Sequence, residues 1–302
     1  MRTLAVVYNP RSGAATASDS NGAVEHQLTE MFTRRGIDPV LVQFDPQRVG
    51  DDVQSLIAHA PDAVIAAGGD GTITSVATQL IGKGVPLGVL PLGTMNVLAV
   101  DLGLPADPEA ALGALLAGEV RPIDVMRVNG TPFLCASAIA LLPHLGRLRE
   151  RTRGRSGWRM AKMLVRGVEI LRRFPRIRLH VVVDGREHVV RTRALVVSNN
   201  PFSSEPAPFP KRASLDSGQL GIYVIRDRSR WDLVMLATKL RDGSWLRDRR
   251  LRTYFGAEAQ VHTSGLGLVS VMNDGEAIQL EMPLRYEIEP KALAVLSPAA
   301  TR

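Results

Sequence analysis

The sequence predicts an α/β protein of two domains: a doubly wound parallel N-terminal domain and a mainly antiparallel β C-terminal domain. Three observations predict it. Up to Gly118, short apolar runs alternate with helix-spaced stretches, the order of βα units on a parallel sheet. From about Val125, strand-like runs follow one another with hairpin signals such as Asp184-Gly185. Three glycine-bearing turns each follow a strand of the first half, on the carboxyl side where open α/β sheets bind ligands.

The elements follow in order. Leu4–Tyr8 is a short apolar strand that stops at Asn9-Pro10, which reads as a first strand and not as a signal peptide. Val24, Leu28, Met31 and Phe32 recur at helical spacing, with Gly36 at the C-terminal cap. Val40–Phe44 is the second strand, and Val53, Leu56, Ile57 and Ala60 mark a short helix. Ala63–Ala67 is an unbroken apolar run ending in glycines, as a buried parallel strand requires, and Val85–Leu90 is another. Asp107 caps a helix with Pro108 at its first position and Ala111, Leu112, Leu115 and Leu116 on one face. Beyond Val125, strands are expected at Ile177–Val183, Glu187–Val190, Leu195–Ser198, Leu220–Ile225, Val261–Thr263, Leu268–Met272, Ala277–Glu281 and Leu284–Ile288. Trp231–Arg241 reads as a helix with Leu233, Leu236, Ala237 and Leu240 on one stripe.

Composition excludes several classes. The chain has 302 residues, 45% of them apolar and 22% charged, enough to bury a sizeable core and too apolar for wholesale disorder. A single cysteine, Cys135, excludes an intrachain disulfide framework. Six histidines without metal-type spacing argue against a histidine/cysteine metal site. No apolar run approaches the roughly 18 residues of a membrane span. A cytoplasmic protein is expected.

The net charge of +7 is unevenly spread: Arg147–Arg178 holds twelve basic residues against two acids, Glu150 and Glu169. Apolar side chains including Trp158, Met160, Met163 and Leu164 are interleaved with them. A helix of that make-up can lie on an anionic bilayer, with Arg151, Arg153, Arg155, Trp158 and Arg159 as the membrane contacts. A solvated basic helix packed on its own domain is the plain alternative, and nucleic acid a third, less favoured reading that the sequence does not lead us to expect. A weaker basic run, Arg241 to Arg252, accompanies Trp245.

The chemistry concentrates in the turns. Gly68-Gly69-Asp70-Gly71-Thr72 stands between a buried strand and a helix, where glycines admit a ligand to the backbone and the helix N-terminus offers free N–H groups to a phosphate. Pro91-Leu92-Gly93-Thr94-Met95-Asn96 and Asn9-Pro10-Arg11-Ser12-Gly13 are the companion turns. Three such turns favour a nucleotide site, yet neither the P-loop nor the dinucleotide spacing is present. Asn273-Asp274-Gly275 between two strands is, by itself, a hairpin turn.

The order NPxSG, GGDGT and PxGTxN, followed by Asp101, Asp124 and Asn273-Asp274-Gly275-Glu276, resembles the diacylglycerol kinase catalytic-domain family, which includes bacterial lipid kinases and is related to sphingosine kinases. The resemblance runs from Val6 to about Glu289. It implies an ATP-binding domain over 1–125, to which about 290–302 can return, and a β-sandwich-like lipid-substrate domain over 126–289 carrying the basic segment 147–178. ATP and lipid would meet in the cleft between them. It further implies that Asn9, Pro10, Arg11, Ser12, Gly13, Gly68, Gly69, Asp70, Gly71, Thr72, Ile73, Thr94 and Asn96 bind ATP. Asp70, Asp101 and Asp124 would lie near Mg2+, partly through water, a chemically reasonable set for that cation. Asp274 matches the general base and Glu276 its neighbour.

Departures from the family pattern are Thr74 and Ser75 in place of Asn-Glu, Phe44 or Asp45 in place of a threonine, and Cys135 and Ala140 where asparagine and glycine are usual. Ser217 stands where bacterial members carry an aspartate for a structural magnesium, leaving Asp216 as the available substitute. The expectation is a magnesium- and ATP-dependent kinase for a lipid hydroxyl, diacylglycerol-like, acting peripherally on the inner face of the cell membrane. Two alternatives stay open: an NAD or nucleotide kinase sharing GGDGT, and a non-catalytic sensor on the same fold. An exposed sheet edge would permit a homodimer.

Overall fold

The computed structural model describes residues 3–12, 20–143, 174–206, 210–226, 229–240, 242–265 and 267–299. Gly13 and the basic membrane contacts Arg151, Arg153, Arg155, Trp158 and Arg159 lie outside the described residues. The chain divides into two compact units, Met1–Val125 with Lys291–Arg302, and Met126–Pro290.

The first unit is built of β1 (Leu4–Tyr8), α1 (Ser20–Thr33), β2 (Val40–Gln43), α2 (Val49–Ala58), β3 (Ala63–Gly68), α3 (Asp70–Leu80), β4 (Leu87–Pro91), α4 (Val97–Asp101) and α5 (Pro108–Leu116). Its strands pair in parallel in the order β2-β1-β3-β4. β1 and β3 are buried at every position, which explains why both read as unbroken apolar runs. The end of β16 (Leu284–Ser297) adds alongside β4 through Val295 and Leu87. Leu293, Val295 and Leu296 are thereby buried. Asp107 caps α5, its carboxylate accepting the Ala110 N–H at 2.8 Å.

β5 (Glu119–Val128) and β16 each run through a unit boundary. Lys291 has a φ of +55° within β16, and its N–H donates to the Asp124 carboxylate at 2.8 Å. The buried acid thus holds a left-handed residue in place inside a strand.

The second unit continues with β6 (Thr131–Phe133), β7 (Ala136–Ala140), β8 (Ile177–Val183), β9 (Arg186–Thr192), β10 (Ala194–Asn199), β11 (Leu220–Ile225), α6 (Arg230–Thr238), a 3-10 turn (Ser244–Arg247), β12 (Leu251–Gly256), β13 (Glu258–His262), β14 (Leu268–Asn273) and β15 (Glu276–Glu281). One antiparallel sheet runs β12-β11-β10-β7-β14-β15. The other runs from the start of β16 through β13 and β8 to β9. Inward side chains of both sheets, among them Ile139, Leu179, Val181, Leu195, Ile222, Val271 and Tyr286, form one core, the interdigitated interior of a sandwich. The Asp184-Gly185 hairpin has φ of +44° and +77°, the two left-handed residues of a tight β-hairpin turn.

Candidate active site

In the first unit the three turns are tied to one another by side chains. The Asn9 amide donates to Thr72 Oγ1 at 2.8 Å, and its Oδ1 accepts the Arg11 N–H at 3.0 Å. Ser12 Oγ accepts the Gly69 N–H at 3.1 Å. Asp70 accepts the backbone N–H groups of Asn96 and Val97 at 3.1 and 2.6 Å. Asn96, at φ +48°, closes its own turn by accepting from the Gly93 N–H and donating to the Gly93 carbonyl.

Two glycines are required by space. A Cβ on Gly93 would stand 2.6 Å from the Gly69 Cα, and one on Gly68 would stand 2.7 Å from the Thr72 side chain. The residue before α3, Gly69, is extended and, being glycine, brings no side chain to cap the helix. The first-turn N–H groups are the kind that bind phosphate oxygens. Thr94 is exposed at the tip of its turn.

Not every residue assigned to this site can serve it. Ile73 is buried in the core, and its N–H is already spent on the Gly69 carbonyl at 3.0 Å, so neither its side chain nor its amide is available to a nucleotide. Pro10 is buried and has no N–H to give. It shapes the turn. Gly71 lies within the first turn of α3.

The three aspartates do not gather into one cluster. Asp70 braces the second and third turns, Asp101 closes α4 as a buried residue, and Asp124 is fully buried on the Lys291 amide. Magnesium retains several waters when bound. The donors present fit a cation held through waters near Asp70, whereas Asp124 is fully buried and accepts the Lys291 N–H.

In the second unit Asp274 sits in the β14–β15 hairpin at φ +46°. Its carboxylate turns inward and accepts three backbone N–H groups, from Leu134 at 2.7 Å, Cys135 at 2.8 Å and Ala136 at 3.0 Å. Burial pushes this carboxyl above its ordinary value; the three N–H donors and the nearby Arg212 guanidinium work against that rise. Arg212 is buried and donates to the carbonyls of Leu134 and Asn199, with Cys135 Sγ at 3.6 Å. Glu276, the neighbouring acid, is exposed and pairs with Asn273 across the hairpin.

Asn273 itself was passed over as a site residue. It is 7% exposed, and both its amide nitrogen and its amide oxygen are buried without a hydrogen-bond partner among the described residues. Such a group costs about 1–3 kcal/mol and is what a polar ligand group would satisfy. Sequence signals it only as the polar residue before a hairpin turn.

Asp216 is exposed and is bonded to Ser214, while Ser217 gives both its N–H and its hydroxyl to Asn200. This turn is closed by Ser214 and by Asn200, which follows β10.

Elsewhere, sheet register brings together His180, Glu187 and His262, the one trio of potential metal-ligand side chains among the described residues. No local spacing announces it, since the three stand on separate strands. The two imidazoles stack at 4.8 Å and 17°, and His180 Nδ1 is bonded to Glu187, which holds that carboxyl below its usual range. Parallel rings do not aim their nitrogens at a common point, and the trio reads as a hydrogen-bonded surface cluster.

A parallel α/β unit with cross-braced phosphate-type turns, joined to an antiparallel sandwich, defines the two-domain fold of diacylglycerol-kinase-like proteins. Residues 3–128 match the diacylglycerol kinase catalytic domain, and residues 149–297 match the YegS C-terminal NAD kinase beta sandwich-like domain. The two matches follow one another along the chain, the first being similar to the catalytic domain of diacylglycerol kinases. It is 28% identical over 304 residues to a Mycobacterium tuberculosis (strain H37Rv) protein named diacylglycerol kinase, covering 98% of this chain and 95% of that one. It is 25% identical over 240 residues to an uncharacterized Synechocystis protein, covering 78% of this chain but only 54%, about half, of that relative's length. A diacylglycerol kinase structure from Bacillus anthracis str. Sterne superposes with a TM-score of 0.66 at 18% identity, covering 98% of this chain and 96% of that one. That likeness is one of fold.

Proposed function

We propose that the protein is an ATP-dependent lipid kinase that transfers the γ-phosphate to the hydroxyl of a diacylglycerol-like lipid, with Asp274 as general base and Mg2+ beside the phosphates. We place its action at the anionic inner face of the cell membrane, peripherally bound. The observation that carries the reading is the bracing of three strand-end turns by Asn9, Ser12 and Asp70 around the start of α3. Such a frame holds backbone N–H groups in place for phosphate oxygens before the nucleotide arrives.

Phosphoryl transfer asks little covalent chemistry of a protein. It asks for an in-line acceptor hydroxyl, neutralised phosphate charge and a carboxylate to receive the hydroxyl proton. The turn amides and Thr94 would bind the nucleotide, and Asp70 would hold two turns in register while facing the cation's water shell. A bound magnesium supplies charge neutralisation for the transferring phosphate. Asp274 would take the hydroxyl proton; its raised affinity for a proton suits that task.

The test is phosphorylation from γ-labelled ATP with magnesium, using diacylglycerol, monoacylglycerol, sphingosine and ceramide in mixed micelles, with NAD in a parallel reaction. Label is expected in a glycerolipid and absent from NAD. Asp274→Asn should lose at least about a hundredfold in kcat, the scale of a general base. It should also lose about 1–3 kcal/mol of stability, because its NH2 group would face a backbone N–H. Unchanged ATP binding well below its Tm separates the two effects. Label in NAD alone, or none in any acceptor while ATP binds, overturns the proposal.

A further inference from the structure

The helix α6 carries a surface that the proposed chemistry does not use. It packs into the second unit through Leu236, which joins Tyr223 and Trp245 in a small core with Phe202, Leu240, Leu246 and Leu251 set against it. The opposite stripe, at positions i, i+3 and i+4, consists of Trp231, Val234 and Met235, which are 71%, 37% and 50% exposed. Residues at this spacing share one helix face, so three large apolar side chains stand together in water. Isolated exposed apolar residues are ordinary, whereas a contiguous set on one face marks an interaction surface.

The charge around this stripe names its occupant. From Arg226 to Arg252 the sequence holds nine basic residues against four acids. Two of the acids are internally committed: Asp248 is buried and bonded to Lys239 and Arg250, and Asp232 is bonded to Arg250. Arg226, Arg247, Arg249 and Arg252 remain exposed. An apolar stripe with a tryptophan, in a segment rich in exposed arginines, is matched by a bilayer with anionic headgroups, where the ring and the thioether enter the acyl boundary and guanidinium groups meet phosphate.

We infer that the Trp231–Val234–Met235 face of α6 is a docking surface for an anionic lipid bilayer. The inference rests on the lipid-kinase reading for its purpose, since a membrane-resident acceptor requires the enzyme to sit on the membrane. The chemistry of the surface stands apart from it. The helix is tied to the second unit by the bonds of Asp232 to Arg250 and by Leu236.

The experiment is co-sedimentation of the full chain with vesicles of phosphatidylcholine and phosphatidylglycerol, without ATP, beside vesicles of phosphatidylcholine alone. Trp231→Ala combined with Met235→Ala should weaken partitioning to the anionic vesicles at least about tenfold, from the apolar area withdrawn from lipid. Raising the salt should weaken the binding of the wild type. Turnover of dioctanoylglycerol as a soluble monomer should stay within about twofold of the wild type, because neither residue is among those that form the turns or bond Asp274. Arg151→Gln, Arg153→Gln, Arg155→Gln and Arg159→Gln in one chain provide the comparison.

Undiminished vesicle binding by the α6 variant overturns the inference, whether or not the arginine variant binds. Equal binding to neutral and anionic vesicles overturns its electrostatic part. A concentration-dependent dimer that Trp231→Ala abolishes, with vesicle binding unchanged, assigns the face to a second copy of the chain instead. Failure of the kinase reading appears differently: no turnover of any lipid by a chain that still binds vesicles.

Discussion

Asp274, the residue proposed as base, already meets a structural demand. Its left-handed backbone makes the hairpin and its carboxylate fastens residues 134–136, so the sequence reading of Asn-Asp-Gly as a turn and the reading of Asp274 as a base describe the same side chain. A pH profile distinguishes the two roles. Burial raises the folded carboxyl above its unfolded value, so the folded chain takes up this proton first. The stability linked to this group is therefore present below the unfolded carboxyl range and is lost as pH rises through the folded value. Activity runs the opposite way: kcat/KM should fall as pH drops through a value above the ordinary carboxylate range, because the base becomes protonated. A kcat/KM that stays level down to about pH 4, the unperturbed carboxylate region, would remove Asp274 as the base. Asn273 was not legible in sequence, because only packing reveals that both ends of an amide lack partners.

At the scale of elements, the turns were the most legible feature, since the demand for glycine is local. Gly68-Gly69-Asp70-Gly71 following an apolar strand implies close backbone approach, and the structure supplies the reason at Gly93, whose hydrogen faces the Gly69 Cα. Gly93→Ala should cost about 1–3 kcal/mol, as inserted methyl groups do in packed sites, and should lower ATP affinity at least about tenfold by parting the two turns. Calorimetric Tm and a nucleotide-binding titration check this; an unchanged affinity would show that the turns yield without consequence. Helix α5 was equally legible, because Asp107, Pro108 and the apolar face agree. By contrast β7 and β12 carry no strand pattern of their own. β7 is Ala-Ser-Ala-Ile-Ala, short of the β-branched and aromatic residues that mark strands. β12 begins inside a basic run, and its outward residues include Arg252 and Phe255. Each is a strand because its neighbours offer hydrogen bonds, a condition its own sequence does not state.

For the whole molecule, the decisive feature is that the first unit is completed by the end of the chain. Leu293, Val295 and Leu296 are buried, the Ala292 carbonyl accepts from Gly82, and Lys291 meets Asp124. Removing residues 291–302 would expose three apolar side chains worth about 1.5–3 kcal/mol each, comparable to the 5–15 kcal/mol of a whole domain. The truncated chain should lose ATP binding and become sensitive to limited proteolysis, and a truncated chain that keeps both properties would show that β1 to β4 suffice.

The sequence alone determined the succession of α/β and antiparallel β elements, the position of the glycine turns and the resemblance to diacylglycerol kinases, because periodicity, turn chemistry and motif order are properties of neighbouring residues. Tertiary structure alone decided that Asp70 braces two turns, that Ile73 and Asp124 are withdrawn into the interior, and that Asn273 stands unpaired. It also decided that α6 turns Leu236 inward and Trp231 outward. Each of these depends on groups brought together from distant parts of the chain by strand register and burial, which no local spacing encodes.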